Sequence, residues 1–345
     1  MDLETSFHAS TFGKKLDAEL EKGIAPKSVQ DAWRKQREIL APGGQGGCVA
    51  PFGLQFRVLW GRFHRSLNRS PDLWFGRIFA QLLMGFIIST CYFQLGSGQA
   101  DAQNRVGAMF LCVQFVMGSG ALKLPAIFSE RAVVFRETQS HMYSFHAYYL
   151  ARWVSDLWLW ALENLIFTIL VYFTCNLNST DNYARMGLFY LLLLLTGQLG
   201  FSQSELIALL SLTPPMAYTL QGTISTVFSL FSGFLISKAN MPVGWRWFHY
   251  VSPNRYPLTA GLQNEMRGAQ FTCAPNQVFP LASPMCDRND GHRCPVQCGN
   301  ELLTGLGVSI DSSDEVQNFC LILVFIAGWK LLGYLAFRYV NHIKR

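Results

Sequence analysis

Charge is scarce in this sequence. Its 28 Lys and Arg and 22 Asp and Glu make up only 14% of 345 residues, while half of the chain is hydrophobic. Soluble domains carry about a quarter charged residues, so an ordinary water-soluble fold is excluded for most of the chain. Phosphate-binding loops are also missing. The glycine run Ala41-Pro-Gly-Gly-Gln-Gly-Gly47 lacks the Gly-Lys-[Ser/Thr] that would hold phosphates and Mg²⁺, and reads as a linker. No His-Glu-x-x-His, Gly-x-Ser-x-Gly or paired intramembrane Asp pattern occurs, which argues against an intramembrane enzyme. Residues 1–40 are polar and charged rather than leader-like, so the first apolar segment is expected to direct insertion.

Long apolar runs are abundant instead. Six lie near residues 74–95, 104–124, 148–175, 185–212, 214–237 and 318–340. Each is long enough, at about 1.5 Å per residue, to cross a hydrocarbon core of roughly 30 Å. The expected fold is an all-α membrane protein. Trp74, Tyr92, Tyr148, Tyr149, Tyr172, Trp245, Trp247, Tyr334 and Tyr339 gather at segment ends, where amphipathic rings settle at headgroup level. The net charge of +6 comes from basic residues flanking these segments, which points to membrane lipid as partner rather than nucleic acid.

Local patterns set an expected topology. Residues 1–50 read as a cytosolic linker. In 52–69, Phe52, Phe56, Leu59, Trp60, Phe63 and Leu67 form one helical stripe and four arginines fill much of the rest. Such a helix lies in the membrane interface or packs on a soluble domain, and its arginines place it on the cytosolic side. Alternation then puts 125–147 inside and 176–184 outside, where Asn178-Ser-Thr180 is a glycosylation sequon. Residues 241–262 are interrupted by Pro242, Gly244, Pro253, Pro257 and Gly261, and are expected to form a re-entrant helical pair. An extracellular loop, 263–317, carries Cys273, Cys286, Cys294 and Cys298. These make either disulfides or a metal site, and an oxidising exterior favours disulfides, with no metal. Within the spans, Arg77, Arg152, Asp156, Glu163 and Glu205 are costly to bury. Arg77 and Arg152 sit near cytosolic ends and can snorkel, and Arg152 and Asp156, four residues apart, can pair on one helical face. Glu163 has no charged neighbour within a turn, so it has a functional polar contact, or is protonated or bonded to a neighbouring helix.

The order of these elements resembles the membrane domain of White-type (G subfamily) ABC transporters. The resemblance covers about residues 51–345. It is carried by Gln55-Phe-Arg-Val-Leu-Trp-Gly-Arg62 with Arg69-Ser-Pro71 and Arg77, and by Glu130-Arg-Ala-Val-Val-Phe-Arg-Glu137 followed by Tyr143, Tyr148-Tyr149 and Ser155-Asp156. Ile166-Phe-Thr168, Val171-Tyr-Phe173, Phe231-Ser-Gly-Phe-Leu235, and Trp245 with Ser252-Pro-Asn-Arg-Tyr256, Ala260 and Asn264-Glu265 continue it.

The resemblance implies an ABC-2 (type V exporter) fold: six transmembrane helices, an N-terminal interfacial helix and a re-entrant segment before the last span. It implies a two-fold dimer, either a homodimer or a heterodimer with another G-type half-transporter. Spans 2 and 5 would line a central pathway. Phe115 and Gly118 fall where a drug-exporting member uses an asparagine and a clamping phenylalanine. Gly118 cannot stack on a flat ligand, and Phe115 substitutes only in part. Gly222, Ser225, Thr226 and Ser229 are the candidates on span 5, with ordinary helix packing as the other reading, and Phe234-Leu235 falls at the family's hydrophobic plug. A helix within 127–145, bearing Glu130, Arg131, Arg136 and Glu137, would rest on an ATPase. The family pattern pairs Cys273 with Cys298 and puts Cys294 across the dimer axis, whereas a Cys286–Cys294 pair would leave no bridge between subunits. Walker A, Leu-Ser-Gly-Gly and Walker B motifs are absent from the sequence, so ATP and Mg²⁺ are expected on a nucleotide-binding domain, in a longer chain or a separate ATPase. The expected function is the permease part of an ATP-driven exporter of lipid-like or amphipathic small molecules. The alternative is an orphan membrane domain that dimerises with half-transporters and regulates them. Either would reside in the plasma membrane or another membrane of the secretory pathway.

Overall fold

A computed structural model of the chain describes residues 50–140, 142–177, 184–272, 296 and 298–339. Helices dominate, and the β-structure among the described residues is a single bridge, Gln270 to Cys298. Helix α1 spans Phe52–Arg69 and α2 spans Pro71–Cys91. Pro71 separates them: proline cannot continue a helix interior but suits the first helical position. Helix α3, Gln99–Gly118, begins where the Asp101 carboxylate accepts the Gly98 N–H at 3.2 Å. A 3-10 turn, Ser119–Lys123, leads without a break into α4, Leu124–Gln139. Only a 3-10 turn therefore separates the second apolar segment from the expected cytosolic helix. Helices α5 (Phe145–Thr174), α6 (Ala184–Leu210) and α7 (Pro214–Leu230) follow. After two 3-10 turns come α8 (Arg246–Val251), α9 (Arg255–Met266), α10 (Gly299–Gly305) and α11 (Ser312–Tyr339).

Among the described residues, five stretches are long and apolar enough to cross a membrane: Trp74–Cys91, Gln99–Thr138, Phe145–Thr174, Ala184–Leu210 and Ser312–Arg338. Helix α7, in the place of the fifth expected span, is not among them. With 17 residues it covers about 26 Å at 1.5 Å per residue. It ends at Leu230, so the fifth span is shorter than the apolar run to residue 237 predicts. Gly233, at φ +102°, takes the chain out of helix just beyond it. The last helix, in turn, starts at Ser312 rather than near 318. Residues 241–262 form the expected broken pair, with the break at Ser252-Pro-Asn254 between α8 and α9.

The described residues divide into two compact units, those within 50–61 and 135–151, and those within 62–134 and 152–339. In the first, the Gln55 amide receives the Ser144 N–H at 2.7 Å and donates to the Ala50 carbonyl at 2.5 Å. Tyr143 stacks on Tyr148, and its hydroxyl donates to Glu137 at 2.7 Å. In the second, α6 is the central helix, with Phe189, Leu193 and Leu199 fully buried. It meets the end of α3 at backbone contact. A Cβ on Gly200 would lie 2.1 Å from the Met117 carbonyl oxygen, and one on Gly120 would lie 2.5 Å from that of Gly200. Small residues permit this approach, which gives the helix pair its dispersion contact in an apolar solvent.

Candidate functional site

Three polar sets lie inside the second unit. The first joins α2, α5, α6 and the turn after α3. The Arg77 guanidinium meets Glu163 at 2.8 Å and Asp156 at 3.8 Å. Lys123 meets Asp156 at 2.6 Å and places its ammonium 3.7 Å from the centre of the Phe201 ring. Two cations and two anions cancel, so the buried cluster carries no net charge. Membrane helices tolerate such groups only when they are paired in this way. Glu163 thus finds its partner on another helix. The Arg152–Asp156 pair that the spacing allows does not form: Arg152 bonds Glu130 at 3.0 Å, and Asp156 is held by Lys123. The local i, i+4 rule gave the wrong partner because α2 and the α3–α4 turn supply closer cations. Arg77 is likewise buried rather than reaching for an interface.

The second set ties α3 and α7 to the re-entrant segment. The Asn254 amide donates to Gln114 at 2.6 Å and to the Ser229 hydroxyl at 3.2 Å, and Gln114 also bonds Ser229. Ser252 donates to the Phe228 carbonyl at 2.7 Å, and His249 Nδ1 meets the Phe231 carbonyl at 2.8 Å. These side chains satisfy carbonyls that the last turn of α7 leaves without helical partners. His249 is buried and its pKa is lowered, chiefly by loss of hydration.

Against this frame the candidate pathway residues separate. Gly222 and Thr226 are exposed on α7, Ser225 is half-buried and accepts from Gln221 at 3.3 Å, and Ser229 is buried in the Gln114–Asn254 set. On α3, Gly118 is exposed, while Phe115 is half-buried and tilted against Phe167 at 5.4 Å between centroids. Phe234 stacks on Phe110 at 4.3 Å, and Leu235 is exposed. The four charges of the expected coupling helix also diverge. Arg131 donates to the carbonyls of Ser211 at 2.9 Å and of Ala208, at the end of α6, and Glu130 holds Arg152. Glu137 accepts from Tyr143, and Arg136 is exposed.

The third set lies at the other end of the bundle. Arg105 pairs with Glu265 and donates to the Leu95 carbonyl at 2.9 Å. Arg267 meets Glu315 at 2.9 Å. Away from that end, one turn beyond Phe201 on α6, Glu205, flagged from its position within a span, pairs with Lys330 of α11. Sequence reasoning did not single out Gln114, Arg105, Lys330 or Asn254 as site residues. A polar residue inside an apolar run was the available signal for Gln114 and Lys330.

Among the described residues no group of three or more His, Cys, Asp or Glu could hold a metal ion. Cys298 is disulfide-bonded. Cys273, Cys286, Cys294 and Asn178 lie outside the described residues, as does the linker up to residue 49.

Comparison with known proteins assigns this architecture. Residues 54–266 match the family model described as ABC-2 type transporter. ABC transporter G family member 3 of Dictyostelium discoideum is 27% identical over 344 residues, covering 99% of this chain and 24% of the relative. ABC transporter G family member 6 of Arabidopsis thaliana is 32% identical over 219 residues, 62% of this chain and 29% of the relative. ABC transporter G family member 1 of Dictyostelium discoideum is 26% identical over 83% of this chain and 35% of the relative. The chain thus spans about a quarter to a third of the length of these curated relatives. With several helices able to cross a bilayer and a family match over more than half its length, it is an integral membrane protein, and it belongs to the ABC-2 type transporter family as a membrane domain of the G-family kind.

Proposed function

We propose that this chain is the membrane-spanning part of an ATP-driven exporter that moves lipid-like or amphipathic small molecules. The family match over residues 54–266, which encloses both α3 and α7, carries this reading. ATP and Mg²⁺ would bind a nucleotide-binding domain, upstream in a longer chain or on a separate ATPase. The working unit would be a homodimer, or a heterodimer with another G-type half-transporter. Each protomer would present the exposed Gly118, Gly222 and Thr226, with Ser225 and Phe115 beside them. Ser229 would act from behind this face by fixing Asn254 and Gln114. Phe234 and Leu235, paired across the axis, would close the path to water.

Force would enter through α4. Arg136 is exposed and available to a nucleotide-binding domain. Glu130 and Arg131 link α4 to α5 and to the end of α6, which turns a push on α4 into motion of those helices. Residues 263–317 would face the exterior, with Cys273–Cys298 closed within the chain, Cys294 bridging protomers and a glycan on Asn178. The plasma membrane or another membrane of the secretory pathway would house the protein.

The test uses the native full-length product in proteoliposomes, with an amphipathic dye as reporter. ATP-dependent dye movement that Thr226→Trp abolishes, with dimerisation intact, is the expected result. No dye movement, together with lowered export by a co-expressed half-transporter, would replace this reading with that of a regulatory membrane domain.

A further inference from the structure

A cavity of about 330 Å³ opens between the segment after α7, helix α9 and the first turns of α11. It therefore sits where membrane helices begin and end, which is the depth of lipid headgroups. Phe234, Leu262, Val308 and Leu321 give it apolar walls, and Arg255 and Asp314 give it opposite charges. Those charges do not neutralise each other or pair elsewhere among the described residues. The Arg255 guanidinium lies over the rings of Tyr250 and Tyr256, at 4.6 and 5.5 Å, which orients it without consuming its hydrogen bonds. Asp314 is half-buried in the first turn of α11 and makes no hydrogen bond or ion pair with described residues.

A planar guanidinium fork suits a phosphate, and a carboxylate suits an ammonium. Two such groups, apart in one cavity, complement a molecule that carries both charges. We propose that this cavity binds the zwitterionic headgroup of a phospholipid-type amphiphile. Its phosphate lies on Arg255 and its ammonium at Asp314, while the attached carbons rest on Leu262, Val308 and Leu321. The volume is at the small end of ligand pockets, roughly 300–1,000 Å³, and fits a headgroup with its first carbons rather than a whole lipid. Phe234 forms part of the wall, so an occupied cavity presses on the residue assigned to the plug. The proposal goes beyond the transport reading, because binding stands or falls without ATP.

The experiment is a titration of the purified full-length protein in maltoside micelles, without nucleotide. Monomeric dihexanoylphosphatidylcholine is the probe. Dihexanoylphosphatidylglycerol and hexyltrimethylammonium each carry one of its two charges. The expected result is binding of the zwitterion at least about ten-fold tighter than either single-charge probe, as one lost charged hydrogen bond implies. Asp314→Asn and Arg255→Gln should each weaken zwitterion binding by about the same factor. Arg255→Gln removes a side chain packed on two tyrosines and can perturb folding. Asp314→Asn breaks no hydrogen bond or ion pair among the described residues and keeps the test decisive. Unchanged affinity in folded Asp314→Asn, or equal affinity for the ammonium probe alone, overturns the proposal. Free phosphocholine binding as tightly as the lipid would support the same site with a soluble zwitterion as its source. A protein that binds as expected but fails to move dye would keep this site and lose the transport reading.

Discussion

Arg77 and Glu163 meet at 2.8 Å although they are 86 residues apart and both lie inside apolar helices. Neither helix can leave its charge facing hydrocarbon, so the pair locks α2 to α5 at one register. Arg77→Met should destabilise the protein by roughly 3–5 kcal/mol, since it strands a buried carboxylate. The double variant Arg77→Met with Glu163→Leu should recover most of that loss. Thermal melts followed by size-exclusion chromatography in detergent would check this. A double variant no more stable than the single one would mean that the pair does not hold the helices.

Glycine positions give a second, contrasting prediction. At Gly200 a Cβ would sit 2.1 Å from the Met117 carbonyl oxygen, a backbone atom that cannot swing aside. Gly200→Ala should therefore force α3 and α6 apart, at a cost on the order of 1–3 kcal/mol or more. At Gly222 a Cβ meets nothing within 4 Å. Gly222→Ala should leave the melting temperature of the isolated protomer unchanged. If α7 lines the path between protomers, the same variant should alter export. Export and stability that both stay at wild-type values would place Gly222 towards lipid.

Much of this fold was legible in the sequence because membrane helices are written in continuous apolar runs and ended by proline. Pro71, Pro214 and Pro253 mark breaks that the structure keeps. The end of α7 was not legible. Hydropathy stays high past Leu230, but the helix stops where His249 and Ser252, well downstream, take its last carbonyls. Partner choice was equally hidden. Arg152 and Asp156 satisfy the local pairing rule, yet Lys123 and Glu130 are the groups that tertiary packing brings closest. Exposure also divided Ser229 from Thr226, three residues apart, which a helical stripe of small residues does not distinguish at its edge.

The Phe110–Phe234 stack, with centroids 4.3 Å apart and planes 20° from parallel, gives a third prediction. Aromatic pairs of this kind contribute about 0.5–1.5 kcal/mol beyond the area they bury. Phe234→Ala together with Leu235→Ala should lower the protein's melting temperature by about a few degrees, through loss of this stack. It should raise the leak of a dye through proteoliposomes and uncouple hydrolysis from export in the native full-length product. Phe110→Ala should weaken the same closure by freeing the Phe234 ring. Unchanged leak and turnover in both variants would exclude a plug at this position.

A pH dependence follows from His249. Nδ1 must carry a hydrogen to bond the Phe231 carbonyl at 2.8 Å. Burial lowers the pKa of the ring below its ordinary value of 6.5, nearby Arg255 and Lys238 push it the same way, and the Phe231 bond opposes them only in part. The folded protein therefore holds a neutral ring at a pH where the unfolded chain has begun to bind a proton. Where the unfolded state binds more protons, stability rises with pH. Its contribution is thus complete above pH 6.5 and is lost as pH falls from there towards the lowered folded value. The slope from one group is at most about 1.4 kcal/mol per pH unit. His249→Gln keeps an N–H donor of similar reach but does not titrate. Thermal melts between pH 7.5 and about 5 should show wild type losing more stability than His249→Gln as the pH drops. Parallel curves would mean that His249 is hydrated in the native state and does not set the hold of the re-entrant helix on the end of α7.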